Sequence, residues 1–347
     1  MSSPPTGPAP SRPPAATAAA AAPRVWSLIG EKAGDNALVR VVTDALGWPV
    51  AERRIAMRAR WARGKPFVRA SLHHVDRERS DRLEPPWPDL VITIGRRLSM
   101  VALWIRAQSG GRTRIALLNV PRRRARDFDL IVASAQYRDP RRANVVRLGL
   151  PLVRVDRAAV DAAADAWRAQ LADLPRPLTA LFVGGPTKPV IFDAAVARDL
   201  AAAAAKVVAQ SGGSLFVSTS RRTPPEVADA LAAALPPDSA RIYRWRADAQ
   251  ENPYLALLGV ADGFIVTSDS ITMMVEVARL GRPLAVYELP PARGAFWRSW
   301  SARDLSAVPR LLLAEGFATP LGMPLRRPAA PPPDDLARVV ARIRALC

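Results

Sequence analysis

The sequence predicts an α/β protein built as two parallel-sheet domains, and three observations carry that expectation. The chain has 347 residues, too many for one compact core and about right for two domains of roughly 150 residues each. Short apolar runs of strand length recur in two series with helical patterns between them, and such alternation argues for parallel sheets. One charged helix near 157–171 and a proline-bearing stretch beginning at Leu174 separate the two series.

Taken in order, residues 1–23 are almost all Ala, Pro, Ser and Thr, with Arg12 the single charge before Arg24. They lack the basic start and Leu-rich centre of a secretory signal and read as a disordered tail. The first domain, 24–155, holds strands at 25–30, 90–95, 114–119, 129–134 and 144–150. Its helices are 36–46, with Leu38, Val41, Val42 and Leu46 on one face, and 98–108, with Val101, Leu103, Trp104 and Ile105. A linker helix fills 156–176. The second domain, 177–323, holds strands at 180–184, 215–219, 242–245, 264–267 and 283–288, with helices at 194–210, 225–235 and 270–280. Within it, 264–288 reads as buried strand, capped helix and buried strand, the signature of a Rossmann-like nucleotide-binding unit. A Pro-rich spacer and a terminal helix at 334–346 complete the chain over 324–347.

No uncharged apolar run reaches the roughly 18 to 20 residues that span a bilayer, and Cys347 is the only cysteine. A disulfide framework and a cysteine-based metal site are excluded, and a reducing, cytoplasmic compartment is expected, with peripheral attachment at the inner face of the membrane as the alternative. Net charge is +19 and rests on arginine, since lysine occurs only at Lys32, Lys65, Lys188 and Lys206. Arginine pairs naturally with phosphate, so nucleic acid, an anionic membrane surface and phosphorylated small molecules are the candidate partners. A GC-rich genome would give the same Ala-, Arg- and Pro-rich composition.

The candidate site residues follow predicted strands, at the carboxyl edge where ligands bind in open α/β sheets. The first turn reads Gly30-Glu31-Lys32-Ala33-Gly34-Asp35-Asn36. Its glycines let backbone approach a ligand. Asp35 either caps the helix or acts as a general base; Glu31, without a capping role, is the preferred base or ligand for an acceptor hydroxyl. In the second series Gly184 and Gly185, followed by Lys188, can receive a phosphate, although they lack the Gly-Lys-Ser/Thr ending of a Walker motif. Ser220, Arg221 and Arg222 end the next strand, where a bidentate arginine suits a diphosphate; the alternative is a Thr223 cap with Pro224 at the first helical position. Thr267, Ser268, Asp269 and Ser270 open a helix whose free amides and positive dipole end attract an anion. Glu276 shares a face with Thr272 and is either solvent-facing or a ligand for ribose hydroxyls. The adjacent His73 and His74 point apart on a strand, so no metal site is read. Arg96 and Arg97 are cleft-facing or solvated. Arg122, Arg123 and Arg124 meet lipid headgroups or are solvated.

Two α/β series joined by one linker resemble the twin Rossmann-like domains of GT-B glycosyltransferases, which face each other across a cleft and whose last helix crosses back to the first domain. Six segments carry a more specific likeness: the Gly30–Asn36 turn, Gly110-Gly111-Arg112-Thr113, Phe128-Asp129-Leu130-Ile131-Val132, residues 218–224, Glu251-Asn252-Pro253-Tyr254, and Thr267-Ser268-Asp269-Ser270. Together they resemble the Elm family of mitochondrial fission proteins over nearly all of 25–320. The chain departs from that family at Ala37, where glutamine is usual, and in Ala133-Ser134-Ala135-Gln136-Tyr137, where a histidine is frequent. The tail lacks an arginine-rich amphipathic helix and is not a transit peptide, so a bacterial member is expected.

The resemblance implies a metal-independent glycosyltransferase whose substrate is a nucleotide-diphosphate sugar. Gly185, Arg221, Ser268 and Ser270 would hold phosphate, Glu276 the ribose, and Glu31 or Asp35 would deprotonate the acceptor. The alternative it implies is a non-catalytic scaffold that recruits a protein partner at a membrane surface, as the plant member of the family recruits a dynamin-like protein. Nucleic acid ranks third, because the arginines are scattered and no aromatic-interleaved basic motif occurs.

Overall fold

The structure, a computed structural model, describes residues 22–62, 64, 67–121, 124–138, 142–249, 251–292 and 304–347. The predicted tail, apart from its last two residues, lies outside them, as do Arg122 and Arg123 of the triple-arginine segment.

The first half runs β1 (Val25–Ile29), α1 (Ala33–Leu46), β2 (Val50–Arg54), β3 (Ala56–Met57), α2 (Ala59–Ala62), β4 (Val75–Asp76), β5 (Leu90–Thr93), α3 (Arg96–Gln108), β6 (Arg114–Leu117), β7 (Leu130–Ser134) and β8 (Val145–Leu148). Helix α4 (Arg157–Trp167) leads to the second half: β9 (Leu178–Val183), α5 (Ala194–Ser211), β10 (Ser214–Thr219), α6 (Pro225–Ala234), β11 (Ala240–Tyr243), α7 (Tyr254–Val260), β12 (Gly263–Thr267), α8 (Ile271–Arg279) and β13 (Leu284–Tyr287). It closes with α9 (Ala307–Ala314), β14 (Thr319–Pro320) and α10 (Leu336–Arg344).

Two six-stranded sheets result, ordered β2-β1-β5-β6-β7-β8 and β11-β10-β9-β12-β13-β14, and every pairing in both is parallel. Strands β5, β7, β9, β10 and β12 are buried along their whole length, which is why their sequences are continuous apolar runs rather than alternating ones. Apolar clusters flank both faces of each sheet. In both sheets the strand order reverses direction at the first strand, so the switch crevices lie between β1 and β5 and between β9 and β12. Those crevices are where ligands bind in doubly wound sheets.

Helix α10 follows the second sheet in sequence but packs on the first. Val339, Val340 and Ile343 join the cluster formed by Val39, Val42, Leu46 and the inner strands, Arg344 donates to the Leu46 carbonyl at 2.7 Å, and Arg338 donates to the Arg147 carbonyl.

Several elements differ from the sequence expectation. Helix α1 begins at Ala33 rather than at 36, placing Gly34 and Asp35 inside its first turn. The predicted helix at 157–171 ends at Trp167, and Ala169–Leu171 forms a separate 3-10 turn. β2 carries Glu52, Arg53 and Arg54 and pairs with β1 at the sheet edge. Its charges hid it, because an edge strand needs no apolar run.

Candidate functional site

The second sheet's switch crevice is organised by one buried carboxylate. Asp269, whose side chain is 0% exposed, follows β12 and reaches across to the turn after β9. The Gly185 amide donates to its Oδ2 at 2.9 Å, and the Thr267 hydroxyl donates to its Oδ1 at 2.8 Å. Arg222, after β10, forms an ion pair with Oδ2 at 2.9 Å. The Gly184 amide donates to Thr267 Oγ1 at 2.9 Å. Burial raises the Asp269 pKa, opposed by the Gly185 amide, the Arg222 charge and the Thr267 hydroxyl.

Both glycines are therefore packing residues. A Cβ on Gly184 would stand 2.2 Å from Asp269 Oδ2 and 2.3 Å from Ser270 Oγ, and one on Gly185 would stand 2.0 Å from the Arg222 carbonyl oxygen. The sequence suggested that this turn leaves its backbone open to a ligand. Instead the chain's own Asp269 and Thr267 take both amides.

Arg222 holds three partners, donating from Nη1 to Thr187 Oγ1 at 2.6 Å and from Nη2 to Ser270 Oγ at 3.1 Å besides its ion pair. With its side chain 44% exposed, it still presents an edge to solvent. Ser220 and Thr223 close the turn: the Ser220 amide donates to Thr223 Oγ1 at 2.9 Å, and that hydroxyl donates to the carbonyls of Val183 and Gly184 at 3.1 and 2.6 Å. Thr223 thus ties the turn to β9, and α6 starts two residues later at Pro225.

Helix α8 begins at this point. Its N-cap, Ser270, makes no side-chain capping bond, and its hydroxyl accepts instead from Arg222, so the first amides of the helix are not capped by that side chain. Ser268 lies beside it, with its amide donating to the Tyr287 carbonyl at 2.9 Å and its Oγ accepting from the Leu289 amide at 3.0 Å. Arg221 and Lys188 are exposed on the flanking turns and have no hydrogen bond or ion pair to another described residue.

Glu276 is turned inward from α8 rather than toward solvent. It accepts a hydrogen bond from the Tyr254 hydroxyl, and Tyr254 packs on Phe182 with ring centroids 4.6 Å apart. Burial raises the Glu276 pKa, the tyrosine bond opposing it, and burial raises that of Tyr254 well above 10.0. Tyr254 and Thr187 bond to the candidate residues Glu276 and Arg222, and the sequence does not single them out: each partner lies more than twenty residues away, so no local spacing reveals the pair.

The first sheet's switch crevice is arranged differently. Asn36 takes over the end of β1, accepting from the Gly30 amide at 2.9 Å and donating to the Gly30 carbonyl at 2.7 Å. Asp35, half-buried, makes no capping bond; it lies 3.8 Å from Lys32 Nζ, and its Oδ2 is 3.9 Å from where a Cβ on Gly95 would be. Gly95 has φ +91°, a conformation that favours glycine, and this lets α3 start directly over the Asp35 carboxylate. Glu31 is exposed on the turn. Arg97 donates to the Gly64 carbonyl at 3.2 Å and accepts at its own carbonyl from buried His74 Nε2, 3.2 Å away, so it is anchored rather than solvated. The site residues thus fall into two groups: Glu31 and Asp35 on the first sheet, and the other eleven around α8 on the second. Of the triple-arginine segment, Arg124 is described and pairs with Asp127.

Two Rossmann-like halves, each presenting its switch crevice at a carboxyl edge, define a GT-B-like α/β protein. The architecture matches that of a glycosyltransferase from Rickettsia africae ESF-5 at a TM-score of 0.51 and 12% identity, covering 94% of this chain and 99% of that one. It also matches a UDP-GlcNAc 2-epimerase from Methanocaldococcus jannaschii at 0.50 and 10%, covering 93% and 100%. At such identities the likeness concerns the fold alone. The sequence profile of the mitochondrial fission ELM1 family matches residues 33–346, and the chain belongs to that family. It is 28% identical over 225 residues to mitochondrial fission protein ELM1 of Arabidopsis thaliana, spanning 58% of this chain and 52% of the plant protein. It is 32% identical over 113 residues to an uncharacterized protein of Rickettsia prowazekii, spanning 32% of each. The matched region is thus about half the length of the plant relative and a third of the bacterial one. Among the described residues no helix is long and apolar enough to cross a membrane.

Proposed function

We propose that the chain is a glycosyltransferase that binds a nucleotide-diphosphate sugar over the amino end of α8. The observation that carries this reading is the uncapped start of α8, bordered by the solvent edge of Arg222 and by exposed Arg221 and Lys188 at a switch crevice. Amides and a positive dipole end attract phosphate, and guanidinium groups add charge-assisted bonds. Glu276, held by Tyr254 one and a half turns into the helix, would accept from the ribose hydroxyls. In the transfer, an acceptor hydroxyl attacks the sugar's anomeric carbon, its proton passes to Glu31 or Asp35, and the bond to the diphosphate breaks with the electron pair leaving on phosphate. The helix end and the basic side chains would stabilise that departing charge in place of a metal.

Thermal shift against a panel of nucleotide-diphosphate sugars tests it. At a concentration about 100 times Kd, a true donor adds about 2.7 kcal/mol, a rise of roughly 5–10 °C. No shift with any donor, and none altered by Glu276→Ala, would overturn it.

A second reading, a non-catalytic scaffold acting at a membrane surface, is favoured by one observation: Asp269 already occupies the Gly184–Gly185 turn. Family membership agrees with it. Partner or liposome binding that survives Glu31→Ala and Glu276→Ala would select it. Under either reading the chain works in the cytoplasm, peripherally if the basic surface meets lipid.

A further inference from the structure

A second basic concavity lies at the opposite end of α8. It has a volume of about 280 Å3 and is lined by Arg157, Val160 and Asp161 of α4, Leu258 and Gly259 of α7, and by Leu280, Arg282 and Arg327. Helix α8 has nine residues, so this site stands about 14 Å from the Ser268–Ser270 turn.

The three guanidinium groups come from three separate segments and are brought together by packing. Gly259 lets α4 approach α7, since a Cβ there would stand 2.7 Å from Ala164 Cβ. Leu325 approaches β12 so closely that a Cβ on Gly263 would stand 2.8 Å from its Cδ1, which brings Arg327, two residues on, to the rim. Arg282 donates from Nη2 to the Gly259 carbonyl at 2.9 Å, and Arg157 donates from Nη2 to the Arg279 carbonyl at 3.3 Å. Those carbonyls belong to the carboxyl ends of α7 and α8, the negative ends of both helices. One nitrogen of each of these two guanidinium groups is thereby fixed, and the others remain as donors. Among the described residues none of the three arginines has a carboxylate in ion-pair range, and Asp161 is the only acid in the lining. Three cations and a single acid leave the lining with an excess of positive charge, and an anion relieves the repulsion among the arginines.

We propose that this concavity binds a small phosphate-bearing anion, independently of the nucleotide-sugar reading. Its volume is just under the roughly 300–1,000 Å3 of drug-sized pockets, which suits a single phosphate group with a small substituent. The ligand is either a free phosphorylated molecule or a phosphate headgroup at a lipid surface.

The test is titration calorimetry with inorganic phosphate at low salt on the full chain. Arg221→Ala serves as background to weaken the α8 amino end. Arg327 is exposed with no described partner, so Arg327→Ala leaves the melting temperature unchanged and weakens binding roughly tenfold. Asp161→Asn tightens binding roughly two- to fivefold by removing the one opposing charge, a gain that misfolding cannot produce. If the same pattern is seen only with phosphatidylglycerol vesicles and not with phosphate or phosphatidylcholine vesicles, the ligand is a headgroup. Phosphate and anionic vesicles that bind equally to the background, Arg327→Ala and Asp161→Asn proteins would overturn the proposal.

Discussion

Asp269→Ala removes the acceptor on which the second crevice converges, and its cost follows from three donors. The Gly185 amide at 2.9 Å and the Thr267 hydroxyl at 2.8 Å are both buried. Each buried donor left without a partner costs about 1–3 kcal/mol, hence about 2–6 kcal/mol for the two. The ion pair to Arg222 adds at most about 1 kcal/mol, because that arginine is 44% exposed and screened by water. Against these stands the burial of the carboxylate itself, which raises its pKa and is relieved by the substitution. A net loss of about 3 kcal/mol is expected, which lowers the melting temperature by roughly 6–12 °C for a unit of this size, read by calorimetry. The pH dependence has a definite sign. With the folded pKa above the ordinary 3.8, the contribution of the carboxyl is complete below that value and is lost as pH rises through the folded one. Asp269→Asn is therefore more destabilising near about pH 4 than near about pH 8. An Asp269→Ala protein within about 2 °C of the parent would refute the assignment of Asp269 as the organising group.

Gly185→Ala drives a methyl to 2.0 Å from the Arg222 carbonyl oxygen; backbone cannot swing aside, so a loss of about 3 kcal/mol or more is expected in urea unfolding. Ile343→Ala opens a void in the cluster that α10 shares with the first sheet and costs about 2–4 kcal/mol, a loss a mere surface appendage would not show. Glu276→Gln keeps an acceptor for Tyr254 but removes a carboxyl whose pKa burial raises above 4.5. Melting curves across pH should show the parent losing stability, relative to this variant, as pH climbs past that value. Arg221→Ala and Lys188→Ala leave melting temperatures unchanged and reduce the shift given by a nucleotide-diphosphate sugar; reduced stability in either variant would mean that these exposed side chains have structural partners.

What was legible in the sequence follows the physics of burial. Central strands such as β9 and β12 are covered on both faces, and that leaves a continuous apolar run anyone can read. β2 is an edge strand with Glu52, Arg53 and Arg54 exposed or half-exposed, so it gives no such signal. The strand, hydroxyl-rich turn and helix around 267–270 were readable from their order in the sequence. What that cluster does was not: Asp269 looks like a helix cap, yet its partners are Gly185 and Arg222, 84 and 47 residues earlier in the chain. Only the strand order, which sets β9 between β10 and β12, brings them together. Glu276 was left open between solvent and ribose for the same reason, since the Tyr254 hydroxyl that holds it comes from α7.

The same geometry separates what keeps the crevice folded from what a ligand would use. Asp269 neutralises one guanidinium and takes the Gly185 amide, while Thr267 takes that of Gly184, so those groups serve the fold whether or not anything binds. A protein that only needed the fold could stop there, with the Ser270 hydroxyl capping α8. Here the hydroxyl is drawn to Arg222, the helix start is uncapped, and two further basic side chains stand exposed beside it. Leaving a helix start uncapped sacrifices about 1 kcal/mol of capping energy, and clustering positive charge around it adds repulsion. An anion bound there would offset both costs. Under the proposed function this arrangement would serve a ligand, and the stabilities of the Arg221 and Lys188 variants without and with a nucleotide-diphosphate sugar separate that use from the structural task of Asp269.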